Sequence, residues 1–330
     1  MFSFRIKDII QIPIKPTRII TMPVRESSVK ESLVKEKSIK EIPVKEKSNI
    51  IIILRGHVRD SFSNDNIYKY ILYLKNKYNL YIFIHTWNIR SGNISWRDVK
   101  KDIFIINKDI IINYFKNIDI KKIIIDDDSC IDLIGNTIGK IKTTLMPIKG
   151  WKYMWYGIHK ITNYILNNMD EYKLDVNTYT LNIRLDYFSN NPTIKQYNNI
   201  DLMNNLYNFN SDNIQFLENK LYKDSMYGID NIYFGKFYKI YYTGILFYTN
   251  LDYIIECFHD IYAQEKLVYY LQKYINIYCD DYLYDNDYIN LTIKIILSKL
   301  KINYIRNINK EIENKIDPGI SYIKVINQKI

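Results

Sequence analysis

The sequence predicts an α/β fold whose central sheet is mostly parallel and is flanked by helices. Four short apolar runs have the composition of strands buried on both faces, and amphipathic stretches with helical spacing lie between some of them. Alternation of strands and helices favours parallel pairing. The 47% hydrophobic and 25% charged residues are typical of a globular protein, so a fibrous or wholly disordered chain is excluded.

The first two predicted strands are residues 49–54 (NIIIIL) and 80–87 (LYIFIHTW). Between them apolar side chains recur three and four residues apart, which predicts a helix with Asn64 or Asp65 as its N-cap. The helical positions are Ile67, Tyr70, Ile71, Leu74 and Tyr78. This part of the chain therefore reads as strand, helix, strand.

The third and fourth strands are predicted at 120–125 and 178–183, and a long amphipathic helix precedes the fourth strand. Its apolar stripe comprises Trp151, Met154, Trp155, Ile158, Thr162, Ile165 and Met169. A further helix is predicted at 267–278, whereas 285–300 fits a helix and a strand equally well. We expect 49–330 to form one domain.

The first 48 residues are expected to be a disordered basic tail. Residues 24–48 repeat Val-Lys-Glu or a close variant every five residues, a period that fits neither helix nor strand. Residues 1–49 hold 11 Lys+Arg and 6 Asp+Glu, so they carry +5 of the +10 total. The domain is then only mildly basic, which argues against nucleic acid as a partner.

Cysteine content and hydropathy favour a soluble cytoplasmic protein. The three cysteines form no C-x-x-C pair, and no apolar run approaches the roughly 18 residues of a membrane span. Charged residues interrupt the first 23 residues, unlike a signal peptide. The four histidines form neither H-x-x-x-H nor H-E-x-x-H, which argues against a zinc hydrolase.

Polar clusters follow the predicted strands, where open α/β sheets bind their ligands. After the first strand, Gly56 permits a sharp turn, and Arg55 and Arg59 offer forked donors for phosphate; a solvated basic turn is the alternative. No G-x-G-x-x-G or P-loop motif is present.

The ends of the second, third and fourth strands carry the remaining candidates. His85, Thr86 and Trp87 can frame a base or a sugar ring, although packed side chains are an equal alternative. Three aspartates at 126–128, with Asp127 in the middle, are candidates for binding a divalent cation or a hydroxyl, or form a solvated acidic turn. Arg184 and Asp186 follow the fourth strand.

Five segments occur in an order that resembles the sugar-nucleotide-dependent glycosyltransferases of the GT-A type. They are LRGHVRDSF (54–62), LYIFIHTW (80–87), the helix at 151–169, NIRLDYF (182–188) and YGIDNIYFG (227–235). The similarity is greatest to poorly characterised sets from bacterial surface-polysaccharide clusters and giant viruses, and it covers about 49–280. The resemblance implies a Rossmann-like GT-A fold. If the gene is viral, the protein is expected in the host cytoplasm.

The resemblance implies that Arg55, Gly56 and Arg59 contact the nucleotide of a nucleotide-diphosphate sugar, whose acceptor is a glycan or a protein. In such enzymes a D-x-D motif after the fourth strand binds Mn²⁺ or Mg²⁺. Here Arg184-Leu185-Asp186 occupies that place, so Asp186 is the metal ligand that remains and Arg184 is expected to neutralise phosphate. Metal dependence is left open.

The same resemblance places Asp230 on the acceptor side, where it would deprotonate the attacking hydroxyl if the reaction inverts. A retaining reaction needs no such base, and the sequence does not choose between them. The competing hypothesis is a non-catalytic binding or scaffold protein that keeps a degenerate glycosyltransferase fold, because arginine has replaced the first aspartate of the motif.

Overall fold

The computed structural model describes residues 47–94, 100–141, 146–188, 211–216, 230–258, 264–283 and 285–313. Apart from residues 47 and 48, the predicted tail lies outside the described residues. Among the helices described here, none combines the length and the apolar character needed to cross a lipid bilayer.

A six-stranded sheet forms the centre of the described structure. Its strands are β1 (Asn49–Arg55), β2 (Asn79–Trp87), β5 (Ile120–Asp126), β6 (Tyr179–Arg184), β7 (Gln215–Phe216) and β8 (Ile232–Lys236), in the spatial order β5-β2-β1-β6-β8-β7. The first four are mutually parallel, whereas β8 runs antiparallel to β6 and β7 antiparallel to β8. A separate antiparallel pair joins β3 (Ile89–Ser91) to β4 (Asp102–Ile105).

Helices cover both faces of the sheet. They are α1 (Asn66–Lys77), α2 (Lys108–Tyr114), α3 (Ile148–Asn167), α4 (Met169–Tyr172), α5 (Phe237–Phe258), α6 (Gln264–Tyr278) and α7 (Asn286–Glu313). Successive residues of β1 point to opposite faces, so Ile51 and Ile53 pack with α3 and α5, while Ile52 and Leu54 pack with α1 and α2. Burial on both sides explains the continuous apolar runs.

The α3–α5 contact is the centre of the larger core. Trp155 of α3 stacks on Phe247 of α5, with 4.0 Å between ring centroids and 7° between ring planes. Gly244 allows this close approach, because a Cβ atom there would meet Ile158 Cγ2 at 3.0 Å. Helix α3 is thereby fixed over β1 and β2, with its first half above the carboxyl ends of the strands.

The α/β class and the mostly parallel sheet flanked by helices are confirmed, and the arrangement is compatible with a Rossmann-like architecture. The ambiguous segment 285–300 is helical and belongs to α7. Sequence reasoning missed the β3–β4 pair and α2, and it did not assign β8. Strand β8 (IYFGK) is followed directly by α5, so no loop marks the boundary between them.

The strand order has a switch point between β1 and β6. The chain proceeds outward from β1 to β2 and β5, and then returns to the other side of β1 to form β6. The loops that leave β1 and β6 therefore diverge, and they open a crevice at the carboxyl edge of the sheet. In open α/β sheets such a crevice is the usual ligand site.

Candidate functional site

A pocket opens at this switch point, beneath the first half of α3. It encloses about 890 Å³ of empty space, including its open mouth. Polar residues from the ends of β1 and β6 form one wall, and apolar and aromatic residues from β2, α3 and the neighbouring loops form the other. The lining residues are Arg55, Gly56, His57, Arg59, His85, Trp87, Gly92, Ile94, Asp128, Met146, Gly150, Tyr153, Met154, Gly157, Arg184, Asp186 and Asp230.

Strand register brings three of the candidate residues side by side. Arg55 at the end of β1 pairs with His85 on β2 and with Arg184 on β6, and in-register neighbours on adjacent strands point to the same face. That face is the one covered by α3. The alternation along β1 and the parallel register therefore suffice to place an arginine, an imidazole and a second arginine in one row at the floor of the pocket.

Arg55 is fixed firmly despite full burial. Its Nε donates to Asn182 Oδ1 at 3.1 Å, and its Nη2 donates to the backbone carbonyl of Asp230. Burial lowers the pKa of Arg55, and the nearby Arg184 acts in the same direction, but an arginine remains protonated at neutral pH. The side chain thus provides a permanent buried positive charge that ties β1 to Asp230, two residues before β8.

Asp186, just after the end of β6, binds two further arginines. Its Oδ2 lies 3.1 Å from Arg59 Nη1 and 2.7 Å from Arg184 Nη2, and only 4% of the residue is exposed. Arg184 Nη1 also donates to Asn231 Oδ1 at 2.7 Å. The loops after β1 and β6 are therefore joined across the switch point by a carboxylate between two guanidinium groups, a cluster whose charges sum to +1.

The opposite wall is aromatic. The Trp87 ring lies 5.1 Å from the Tyr153 ring of α3 and 5.8 Å from the His57 ring, measured between centroids. The Tyr153 hydroxyl donates to the backbone carbonyl of Asp128, which fixes the loop after β5 against α3. The pocket therefore offers a charged side for an anionic group and a flat apolar side for a ring.

His57 was passed over as a candidate by sequence reasoning, yet it lines the pocket. Burial lowers its pKa to about 3, and the neighbouring Arg59 acts in the same direction. Its Nε2 is buried and has no hydrogen-bond partner among the described residues. The position two residues after Arg55, in the same strand-end loop, was the available signal. His57 is a neutral imidazole that can exchange a hydrogen bond with a ligand.

His85 belongs to a buried network behind the pocket. Its Nε2 lies 3.0 Å from Asp126 Oδ2, and Lys160 Nζ contacts both oxygens of that carboxylate at 2.6 and 2.8 Å. Burial would raise the pKa of Asp126, but hydrogen bonds from His85 and Lys160 outweigh it and lower this pKa to about 2.

Burial also lowers the pKa of His85, more strongly than its hydrogen bond to Asp126 raises it. A neutral ring whose Nε2–H donates to the ionised Asp126 is the consistent arrangement, because Lys160 already neutralises that carboxylate. The bare Nδ1 then faces α3, where a Cβ atom at Gly157 would lie only 2.6 Å from it. The network orients His85, and the absence of a side chain at Gly157 leaves the space that the imidazole ring occupies.

Most of the predicted site residues are brought together, but two are not. Arg55, Gly56, Arg59, His85, Trp87, Arg184, Asp186 and Asp230 all line the pocket. Thr86 points to the other face of β2, where its hydroxyl donates to the Gly56 carbonyl at 2.9 Å. Asp127 accepts from the backbone and hydroxyl of Ser129, and its neighbour Asp128 lines the pocket instead.

The donor set does not fit a divalent cation at Asp186. Mg²⁺ and Mn²⁺ prefer several oxygen ligands, and Asp186 Oδ2 is already paired with two guanidinium groups. Within the described parts of the chain, no three His, Cys, Asp or Glu side chains are grouped closely enough to hold a metal ion. The predicted metal ligand is thus an arginine-binding carboxylate.

Comparison with known proteins adds no family to this geometry. No protein-family model, curated protein or solved structure matches the chain. Functional inference therefore rests on the pocket itself.

Proposed function

We propose that this protein is a glycosyltransferase that uses a nucleotide-diphosphate sugar, with a GT-A type arrangement of its sheet. One observation carries the proposal: three arginines, an aromatic wall and a buried carboxylate converge in one pocket at the topological switch point. Guanidinium groups suit phosphate oxygens, and aromatic faces suit a base or a sugar ring. The pocket thus has matching features for both parts of such a donor.

The diphosphate is assigned to the charged wall and the nucleoside or sugar ring to the wall of Trp87 and Tyr153. In the transfer step, the bond between the anomeric carbon and the phosphate oxygen breaks, and its electron pair stays on the nucleoside diphosphate. The acceptor hydroxyl oxygen forms the new bond to the anomeric carbon. Arg59 and Arg184 stabilise the negative charge that develops on the leaving group.

Asp230 is the candidate base that takes the proton of the acceptor hydroxyl in an inverting reaction. It lines the pocket, only 3% of it is exposed, and its backbone is held by Arg55. A carboxylate near the reacting carbon fits general-base chemistry. The acceptor, a glycan or a protein, would approach from the open mouth of the pocket.

A thermal-shift screen of the full chain against UDP, GDP, CDP, dTDP and their common sugars, each with and without Mn²⁺, tests the proposal. A ligand at about 100 times its Kd stabilises the folded state by about 2.7 kcal/mol, which should raise the Tm by roughly 5–10 °C. The donor sugar that gives the shift is then assayed for hydrolysis. Asp230→Asn should keep the Tm shift and lose hydrolysis by about 100-fold or more.

The screen also separates the two classes of function. A shift without hydrolysis or transfer, in the presence of glycan and protein acceptors, would favour the non-catalytic binding protein, for which the missing aspartate of the D-x-D pattern is the supporting observation. If no nucleotide or nucleotide-sugar shifts the Tm, the proposed function is wrong.

A further inference from the structure

The cluster of Arg59, Asp186 and Arg184, here called the arginine clamp, lies where the resemblance expects a metal ion. We propose that the arginine clamp binds the diphosphate of the substrate directly, without a divalent cation, and that Asp186 positions the two arginines instead of ligating metal. The inference rests on the proposed function for the identity of the nucleotide. It goes further by giving the two guanidinium groups the role that a divalent cation would otherwise have.

Geometry is the first support. Both guanidinium groups contact the same carboxylate oxygen, Asp186 Oδ2, at 3.1 and 2.7 Å. A cation at the usual distance of about 2.1 Å from that oxygen would lie within about 5 Å of both guanidinium groups. Like charges at that distance repel strongly in a buried site. Asp186 Oδ2 is thus used to hold the arginines.

The charge of the surroundings is the second support. Arg55 lies directly beside Arg184 in the strand register, so a third guanidinium group adds to the net +1 of the arginine clamp. The clamp also acts on His57: after the larger effect of burial, Arg59 lowers its pKa, Asp186 raises it and Arg184 lowers it. With the carboxylate of Asp230 included, the side chains of the polar wall sum to +1, and its three guanidinium groups are fixed side chains.

The fixation of the arginines is the third support. Asp186 is 4% exposed, Arg184 is also bound to Asn231, and the Arg59 backbone N–H donates to the Arg90 carbonyl at 2.8 Å. Donors held in place before the ligand arrives lose little conformational freedom on binding. A pair of guanidinium groups arranged in this way is able to do what a bridging cation does, since both supply fixed positive charge to two adjacent phosphates.

Titration calorimetry on the full chain tests the proposal, with UDP, GDP, CDP, dTDP and inorganic pyrophosphate as probes. Each probe is titrated in EDTA, in MgCl₂ and in MnCl₂. We expect the probe that binds to have the same Kd within about twofold in all three conditions. We also expect that Mn²⁺ alone does not bind the protein. Its free-ion electron paramagnetic resonance signal, which decreases on binding, should then stay unchanged when protein is added.

Two variants connect this binding to the clamp. Arg184→Gln and Arg59→Gln should each weaken binding in EDTA by about tenfold or more, since each removes a charge-assisted contact. The matched control is Lys236→Gln, which removes a positive charge paired with Asp212 outside the pocket and should leave the Kd unchanged. The comparison of the wild-type Kd in EDTA with that in Mn²⁺ requires no variant, so it tests the proposal even if a variant fails to fold.

The outcomes separate this inference from the proposed function. Nucleotide binding that is lost in EDTA and restored by Mn²⁺ would overturn the metal-free clamp and leave the glycosyltransferase intact. Binding of pyrophosphate that requires Arg184, with no binding of any nucleotide or nucleotide-sugar, would support the clamp and overturn the glycosyltransferase. No binding of any probe in any condition would overturn both.

Discussion

The buried histidines predict that the protein loses stability in mild acid. Burial lowers the pKa of His57 to about 3 and that of His159 to about 4, whereas in the unfolded chain a histidine titrates near 6.5. Below pH 6.5 the unfolded chain therefore binds protons that the folded protein does not. Stability is complete above the unfolded pKa and falls as the pH decreases towards the two folded values.

The size of the effect follows from these values. At pH 5.5 an unfolded histidine with a pKa of 6.5 is about nine-tenths protonated, which favours unfolding by about 1.4 kcal/mol for each histidine that stays neutral when folded. His57 and His159 together should lower the free energy of unfolding by about 3 kcal/mol between pH 7.5 and 5.5. That is a large part of a typical domain stability of about 5–15 kcal/mol.

Urea unfolding at pH 7.5, 6.5 and 5.5 measures the effect, with tryptophan fluorescence and circular dichroism as two probes of the transition. The double variant His57→Gln/His159→Gln should have a flatter pH profile, because its side chains take up no proton in either state. The comparison uses the pH dependence of each protein, so a uniform loss of stability in the variant does not matter. Equal profiles for the two proteins would refute the assignment of neutral, buried imidazoles.

Three further predictions concern glycines and the aromatic wall. Gly56→Ala and Gly139→Ala both force alanine into a positive φ (95° and 96°), so each variant should lose about 1–2 kcal/mol of stability in urea unfolding. Only Gly56→Ala should also weaken nucleotide binding, as measured by calorimetry. Equal binding by the two variants would contradict a role for the Gly56 turn. Gly157→Ala should destabilise by about 1–3 kcal/mol through its clash with His85, despite the helix propensity of alanine, and a gain of about 1 kcal/mol in urea would disprove the clash. Trp87→Ala should raise the Kd for the bound nucleotide by about tenfold in calorimetry, and an unchanged Kd would place the ring of the ligand elsewhere.

Much of the sheet could be predicted because its parallel strands are buried on both faces. Continuous apolar runs such as 49–54 fit this environment. The helix between β1 and β2 has Asp65, one of the two predicted residues, at its N-cap position, and it ends at Lys77, one residue before the last predicted helical position. Strand β8 and helix α5 were harder. Helix α5 begins at Phe237, directly after β8 ends at Lys236, so no loop separates the two elements.

Candidate residues at strand ends could be predicted because parallel register gathers them at one edge. Successive residues of a strand point to opposite faces of the sheet, so only every second candidate residue reaches the pocket. His85 and Trp87 point to the face under α3, whereas Thr86 between them points to the other face. The sequence alone did not show which alternate residues of β2 face the pocket, because both faces of this strand are apolar and both are covered by helices.

The role of Asp186 shows what a linear motif leaves out. An aspartate after a strand of an α/β sheet predicts a metal ligand when its neighbours in space are other carboxylates. Here one of its partners, Arg184, is two residues away in sequence, but the other, Arg59, arrives from the loop after β1, 127 residues earlier in the chain. Only the pairing of β1 with β6 brings both arginines to the same oxygen. The pairing of Asp186 with two arginines is therefore a property of the sheet topology, and a carboxylate in such a crevice should be assigned from the charges on both diverging loops.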